Sequence, residues 1–163
     1  MVATADSILD LLHEVKDPEL PMLDIVELGI VREVHSVGDE VQVDITPTYT
    51  ACPALRMIEN DIVELLNAHG IANVKVRTVY SPAWTTDWMG DEAKEKLRVA
   101  GIAPPGRVEE EPLVMLHRAP REVVCPYCGS SNTEERSEFG STACKSINYC
   151  NECQQPFDRF KAL

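Results

Sequence analysis

Six cysteines carry most of the chemistry that can be read from this 163-residue chain, and five of them crowd into residues 125–153. Cys125-Pro-Tyr-Cys128-Gly129 and Cys150-Asn-Glu-Cys153 are two C-x-x-C knuckles, separated by 21 residues between Cys128 and Cys150. Each knuckle can bring two thiolates to a tetrahedral ion while backbone amides hydrogen-bond the sulfurs, and Gly129 supplies the positive φ that such a turn often needs. The gap is just above the common range for paired knuckles and is long enough for a hairpin. About 40 residues cannot bury enough surface to fold alone, so the ion would serve as their core. Four thiolates suit zinc or a single iron, and spacing does not exclude a cluster; structural zinc is the reading taken. Cys144 competes as a ligand, with 15 residues between it and Cys128. Using it would break a matched knuckle, so it is read as a free structural thiol. Neither knuckle opens a helix after a strand, which disfavours thioredoxin-like redox chemistry.

The sixth cysteine stands apart, in Ile45-Thr-Pro-Thr-Tyr-Thr-Ala-Cys52-Pro53. Ahead of it, Val41, Val43 and Ile45 alternate with polar residues as in a half-buried strand. Behind it, Leu55, Ile58, Ile62, Leu65 and Leu66 lie on one helical face, and Pro53 suits a first helical position. Cys52 would therefore sit at a helix mouth, where free amides and the positive dipole end favour a thiolate. Two readings stand on these residues alone: a site for metal or sulfur chemistry, or a small buried hydrophobe closing a strand–helix corner.

The elements that must position these groups follow from periodicity. Ile8, Leu11, Leu12 and Val15 predict a helix over Ser7–Val15 with Asp6 as its cap, stopping before Pro18. Asp17-Pro18-Glu19 forms a turn with two carboxylates, which local chemistry explains as an ordinary turn. Residues 29–37 and 40–46 predict a hairpin across Gly38-Asp39, followed by a helix from Pro53 to His69-Gly70 and a third strand over Asn73–Tyr80. A strand, helix, strand connection of this length favours a right-handed crossover. Thr86 or Asp87 caps a helix running to Ala100. Trp84 and Trp88 are read as core, with an interface anchor as the sharper alternative. Residues 102–120, with Pro104-Pro105-Gly106 and three acids at Glu109 to Glu111, have linker composition, and Leu113 to Leu116 could add an edge strand. The expected architecture is α+β: a small mixed three-stranded sheet with packed helices over residues 1–101 (α-β-β-α-β-α), a linker over 102–120, and a small C-terminal zinc ribbon with four cysteine ligands over 121–163.

Formal net charge is −12, which argues against phosphate backbones and anionic membranes as partners. Seven of the acids lie in residues 1–30 against the single base Lys16. No apolar run approaches the roughly 20 residues of a membrane span. The start of the sequence shows no basic region followed by an apolar stretch. A cytoplasmic protein is expected, and reduced thiols fit that compartment. No Ser/His/Asp order, glycine-rich nucleotide loop or carboxylate–histidine helix pair is present. His13, His35, His69 and His117 are scattered and are read as ordinary surface or core residues.

Taken together, Asp17-Pro18-Glu19, Thr48-x-x-x-Cys52-Pro53 and Trp84 after the third strand resemble the small α+β domain of iron–sulfur assembly factors. The C-terminal knuckles followed by Pro156-Phe157-x-x-Phe160-Lys161, together with Ser81-Pro-Ala-Trp-Thr-Thr-Asp-Trp88, narrow the resemblance to the D-subunit family of phenylacetyl-CoA epoxidases. It covers essentially the whole chain. The resemblance implies an accessory subunit of a multicomponent ring 1,2-epoxidase, not catalytic alone, that assists maturation or repair of an iron or iron–sulfur centre in a partner. The partners implied are the reductase subunit or the di-iron oxygenase subunits, with neither nucleic acid nor membrane, and a homo-oligomer is compatible with this reading. Cys52, Asp17, Glu19 and Thr48 become a transient contact for iron, a labile Fe–S cluster or the client. Cys125, Cys128, Cys150 and Cys153 hold structural Zn(2+) and dock a partner. The alternative is a non-catalytic scaffold subunit that needs no thiol chemistry.

Overall fold

The computed structural model describes residues 4–106 and 123–162, which fall into two compact units, Met1–Ala93 and Lys94–Leu163. The first unit opens with α1 (Ala5–Leu12), which buries Ile8 and Leu12 completely. Its cap is Thr4 rather than Asp6: the Thr4 hydroxyl accepts from the Ser7 N–H at 3.2 Å, leaving Asp6 in the first turn. The helix also stops short of Val15. The Glu14 and Val15 N–H groups reach back only three residues, to Leu11 and Leu12, and Val15 is still buried from the turn that results.

Residues 17–30 form two carboxylate-held turns. Asp17 Oδ1 accepts from the N–H groups of Glu19 and Leu20, both at 2.8 Å. Asp24 Oδ1 accepts from Val26 and Glu27 at 3.0 and 2.8 Å, and the Glu27 carboxylate accepts the Asp24 N–H in return. These turns allow Leu20, Leu23, Ile25, Leu28 and Ile30 to be buried without a regular element.

β1 (Val31–Val37) pairs antiparallel with β2 (Glu40–Ile45), and β2 pairs parallel with β3 (Asn73–Thr78), in the order β1-β2-β3. The β2-to-β3 crossover is α2 (Leu55–Ala68), which buries Ile58, Ile62 and Leu66. Pro53 lies just ahead of the helix, whose N-cap is Ala54, and Gly70 ends it at φ 84°. Val41, Val43 and Ile45 of β2 are all buried, as their alternation requires.

The opposite face of this sheet is charged. Arg77 on β3 holds Asp44 on β2 through Nε and Nη2, and Gln42 Nε2 donates to Asp44 at 2.9 Å. The Arg77 guanidinium holds the Asp44 carboxyl below its ordinary 3.8. Asp24 is also lowered: burial pushes it up, but the Glu27 N–H and His13 outweigh that. Native carboxyls that resist protonation contribute stability above the unfolded value and lose it as pH falls through the lowered native one. Melting temperature should therefore drop as pH falls below about 4, and Asp44→Asn should flatten that drop. An acid limb unchanged in the variant would assign the loss to other groups.

After β3 the chain passes Trp84, which is buried and donates from Nε1 to the Leu28 carbonyl at 3.0 Å. A single 3₁₀ turn, Thr86–Trp88, replaces the start of the expected long helix, and α3 spans only Asp91–Val99. Gly29, at φ 73°, lies against both tryptophans: a Cβ there would meet Trp88 Cβ at 3.1 Å and Trp84 Nε1 at 3.6 Å. Trp88 also carries the Arg32 guanidinium 3.6 Å from its ring centroid. The tryptophans thus belong to the packing of this unit. Gly29→Ala should cost about 2 kcal/mol, from the left-handed backbone and the crowding. Urea unfolding followed by tryptophan fluorescence would measure it, and an unmoved midpoint would contradict the packing argument.

The second unit contains a sheet in the order β4-β7-β6-β5, from β4 (Ile102–Ala103), β5 (Thr133–Ser137), β6 (Lys145–Cys150) and β7 (Pro156–Phe160). Ile102 and Ala103, assigned to a linker by composition, are instead buried and pair parallel with Asp158 and Arg159. The Pro-Pro-Gly signal that follows them ends this strand, so composition placed the boundary too early. The expected edge strand at Leu113 to Leu116, and most of the expected linker, lie outside the described residues. Ala103, Val123, Cys125, Cys150 and Phe157 form the small core, with Cys153 packed against it.

Candidate functional site

The four knuckle cysteines converge. Cys125 Sγ lies 3.7 Å from Cys153 Sγ, Cys128 Sγ lies 3.5 Å from Cys150 Sγ, and all four sulfurs are within 4.8 Å of one another. A tetrahedral ion with Zn–S bonds of about 2.3 Å needs sulfurs about 3.8 Å apart, so the donor set fits such an ion with little rearrangement.

Local backbone geometry explains the convergence. In the first knuckle the Gly129 N–H returns to the Cys125 carbonyl at 3.0 Å, with Gly129 at φ 75°. In the second, the residue four after the leading cysteine is Gln154, at φ 58°. The spacing signal located both turns, but only the first advertised its backbone conformation through a glycine. The knuckles are tied together by Asn132, whose carbonyl accepts the Asn151 N–H at 3.0 Å and whose side chain bonds Asn151 and Glu152.

The thiols do not share one proton affinity. Backbone N–H groups of Cys153 and Glu152 bring Cys150 down to about 7, whereas burial and the three neighbouring sulfurs push Cys153 up to about 12. Four adjacent thiolates repel one another unless a cation compensates, which is the electrostatic demand a divalent metal meets. Cys144 is buried outside this group, with Thr142 Oγ1 3.0 Å from its sulfur.

Cys52 occupies the turn immediately before α2 and is half-buried. The backbone amides of Ala54 and Leu55 lower its proton affinity, as expected at a helix mouth. The expected thiolate is not the outcome, however. Burial pushes the thiol above its ordinary 9.0, and the Glu19 and Asp17 carboxylates push it further, outweighing the two amides. The turn that holds Asp17 buried thus brings both acids into the electrostatic neighbourhood of Cys52. Thr48 is half-buried in the loop leading from β2 to this turn.

Among the described residues, a second set of donors also gathers within 4.8 Å: Glu33, His35 and Asp44. Nothing in the sequence marked it, because Asp44 reaches the other two only through strand pairing. The remaining described histidines have local roles, His13 beside Asp24 at 3.1 Å and His69 Nδ1 beside the Leu65 carbonyl at 2.9 Å. His117 lies outside the described residues. No described helix is long and apolar enough to cross a membrane.

Comparison with known proteins matches these two parts separately and together. Residues 5–80 match the family model described as iron–sulfur cluster assembly protein, and residues 109–161 match the PaaD zinc beta ribbon domain. The chain is 43% identical to the Escherichia coli protein named as the putative D subunit of 1,2-phenylacetyl-CoA epoxidase, over 94% of this chain and 90% of that one. It is 34% identical to an Fe-S protein maturation auxiliary factor of Porphyromonas gingivalis, over 58% of this chain and 90% of that one. A crystal structure of a domain of unknown function from Bacillus anthracis superposes with a TM-score of 0.54 at 29% identity, covering 57% of this chain and 90% of that chain. An assembly-factor-like α+β domain followed by a four-cysteine ribbon, matched over nearly the full length, places this chain in the D-subunit family of phenylacetyl-CoA epoxidases.

Proposed function

We propose that this chain is an accessory subunit of a multicomponent phenylacetyl-CoA ring 1,2-epoxidase, assisting maturation or repair of an iron or iron–sulfur centre in a partner subunit. The observation that carries this reading is the Cys52 turn: a helix-mouth thiol with two carboxylates beside it, inside a domain similar to iron–sulfur assembly proteins. The cargo is iron or a labile cluster, handled as substrate.

At rest the raised proton affinity keeps Cys52 as a thiol. Asp17 and Glu19 disfavour the bare thiolate but attract a cation, so an arriving iron replaces the thiol proton and forms a sulfur–iron bond while the proton leaves to solvent. The Ala54 and Leu55 amides favour negative charge on that sulfur. Reprotonation reverses the step. A single thiol that competes with a proton holds its cargo weakly, as delivery requires. The ribbon has a separate role: its four thiolates hold structural zinc, and its exposed Tyr127 and Phe139 each offer an aromatic contact to the reductase or di-iron oxygenase subunits.

These exposed aromatic side chains favour a second reading, a scaffold subunit that stays bound during turnover. Preparing the epoxidase with and without this chain separates the two. Full activity of a metallated complex from which the chain has been removed supports maturation, whereas lost activity restored by simple re-addition supports the scaffold.

A further inference from the structure

The charged face of the first sheet brings an imidazole and two carboxylates together. Glu33 and His35 are two apart on β1, and the cross-strand partner of Glu33 on β2 is Asp44. His35 Nε2 lies 3.4 Å from Glu33 Oε2 and 3.9 Å from Asp44 Oδ2. Nitrogen and oxygen donors at about 2.0 to 2.2 Å from a tetrahedral ion are about 3.4 Å apart, so closing the set takes a movement of well under about 1 Å per donor. The irregularity between Val31 and Glu33 sets this alignment, since it shifts Glu33 into register with Asp44.

We propose that Glu33, His35 and Asp44 form a binding site for a first-row divalent metal ion, separate from both the cysteine cluster and Cys52. The proposal does not rest on the role assigned to Cys52. One imidazole with two carboxylates suits zinc, cobalt or iron(II) better than calcium or magnesium, which prefer an all-oxygen shell. Three protein donors leave a coordination position open to water.

Asp44 is oriented for this task. Its Oδ1 accepts from Gln42 Nε2 at 2.9 Å and Arg77 Nε at 3.0 Å, while Oδ2 is the atom nearer His35. Hydrogen bonds to the outer oxygen fix a liganding carboxylate in just this manner. The competitor is Arg77 Nη2, which also engages Oδ2. Binding would displace that one contact while the Nε bond to Oδ1 persists, and the Arg77 guanidinium, largely exposed, can swing into water. Glu40 and Lys75, the other charged pair on this face, are matched to each other at 2.8 Å.

The test is cobalt(II) titration of the full-length Cys52→Ala chain, which removes the thiol as a competing ligand, after its cysteine cluster has been filled with zinc. One further equivalent is expected, with the weak visible bands of nitrogen and oxygen ligands and a paramagnetic shift of the His35 ring protons that spares His69. Glu33→Gln, at an exposed position, should weaken that binding by roughly tenfold or more, and His35→Ala should abolish it. No additional cobalt, binding indifferent to Glu33 and His35, or intense sulfur-to-cobalt bands that place the ion on a cysteine would each overturn the site.

Discussion

Replacing Cys125 or Cys150 with serine is expected to strip the ribbon of its metal and unfold residues 123–162 while leaving the first unit intact. The size of the effect follows from how little else holds this unit. Its core contains Ala103, Val123, Phe157 and the cysteines themselves, and both substituted residues belong to it. Binding of a structural zinc ion supplies about 10–16 kcal/mol in small cysteine-ligated domains, more than the margin of stability of most domains. Metal analysis should fall from one equivalent to a small fraction, and amide resonances of β5, β6 and β7 should lose their dispersion. Those of β1, β2 and β3 should stay in place. Cys144→Ala is the matched control, since its sulfur pairs with Thr142 away from the cluster, and it should keep the metal. A Cys125→Ser protein that retains a full equivalent and a folded ribbon would show that the unit does not depend on four-thiolate coordination.

The second large effect concerns Cys52→Ala. Fold and ribbon metal should be unchanged, because the half-exposed thiol holds nothing together beyond its own turn. The partner subunit matured in its presence should lose most of its iron, about tenfold if the sulfur is the obligatory contact. Normal iron content in the partner would refute that role. The thiol's proton affinity offers an independent check: alkylation should be slow at neutral pH and rise only above about pH 9, and Glu19→Gln should shift that profile toward lower pH. Because the acids disfavour the thiolate but attract a cation, Glu19→Gln should at once speed alkylation and weaken metal capture. A purely steric role for Glu19 predicts neither change.

Cys52 and the ribbon differ in how much of their chemistry short windows of sequence encode. Alternation in β2, the helical face of α2 and the matched knuckles are all encoded within such windows, and each forms as its spacing requires. Local windows misplace the edges of elements: the cap of α1, the start of α3 and the linker residues Ile102 and Ala103, which a strand more than fifty positions away recruits into a sheet. The ionisation of Cys52 escapes them for a related reason. Its two amides are neighbours in sequence, but Glu19 and Asp17 reach it only through folding, and burial has no local signature at all.

By itself, then, the order of residues determined which side chains were available for chemistry, the two knuckles whose sulfurs converge, and the α-β-β-α-β pattern that carries Cys52 to a helix mouth. Tertiary structure decided what those groups do there. It turned an anticipated thiolate into a protonated thiol by setting it among carboxylates in a partly dry turn, and it assembled Glu33, His35 and Asp44 from two paired strands. Short-range spacing fixes backbone geometry, whereas charge, burial and coordination are sums over neighbours that only the folded chain brings within a few ångströms.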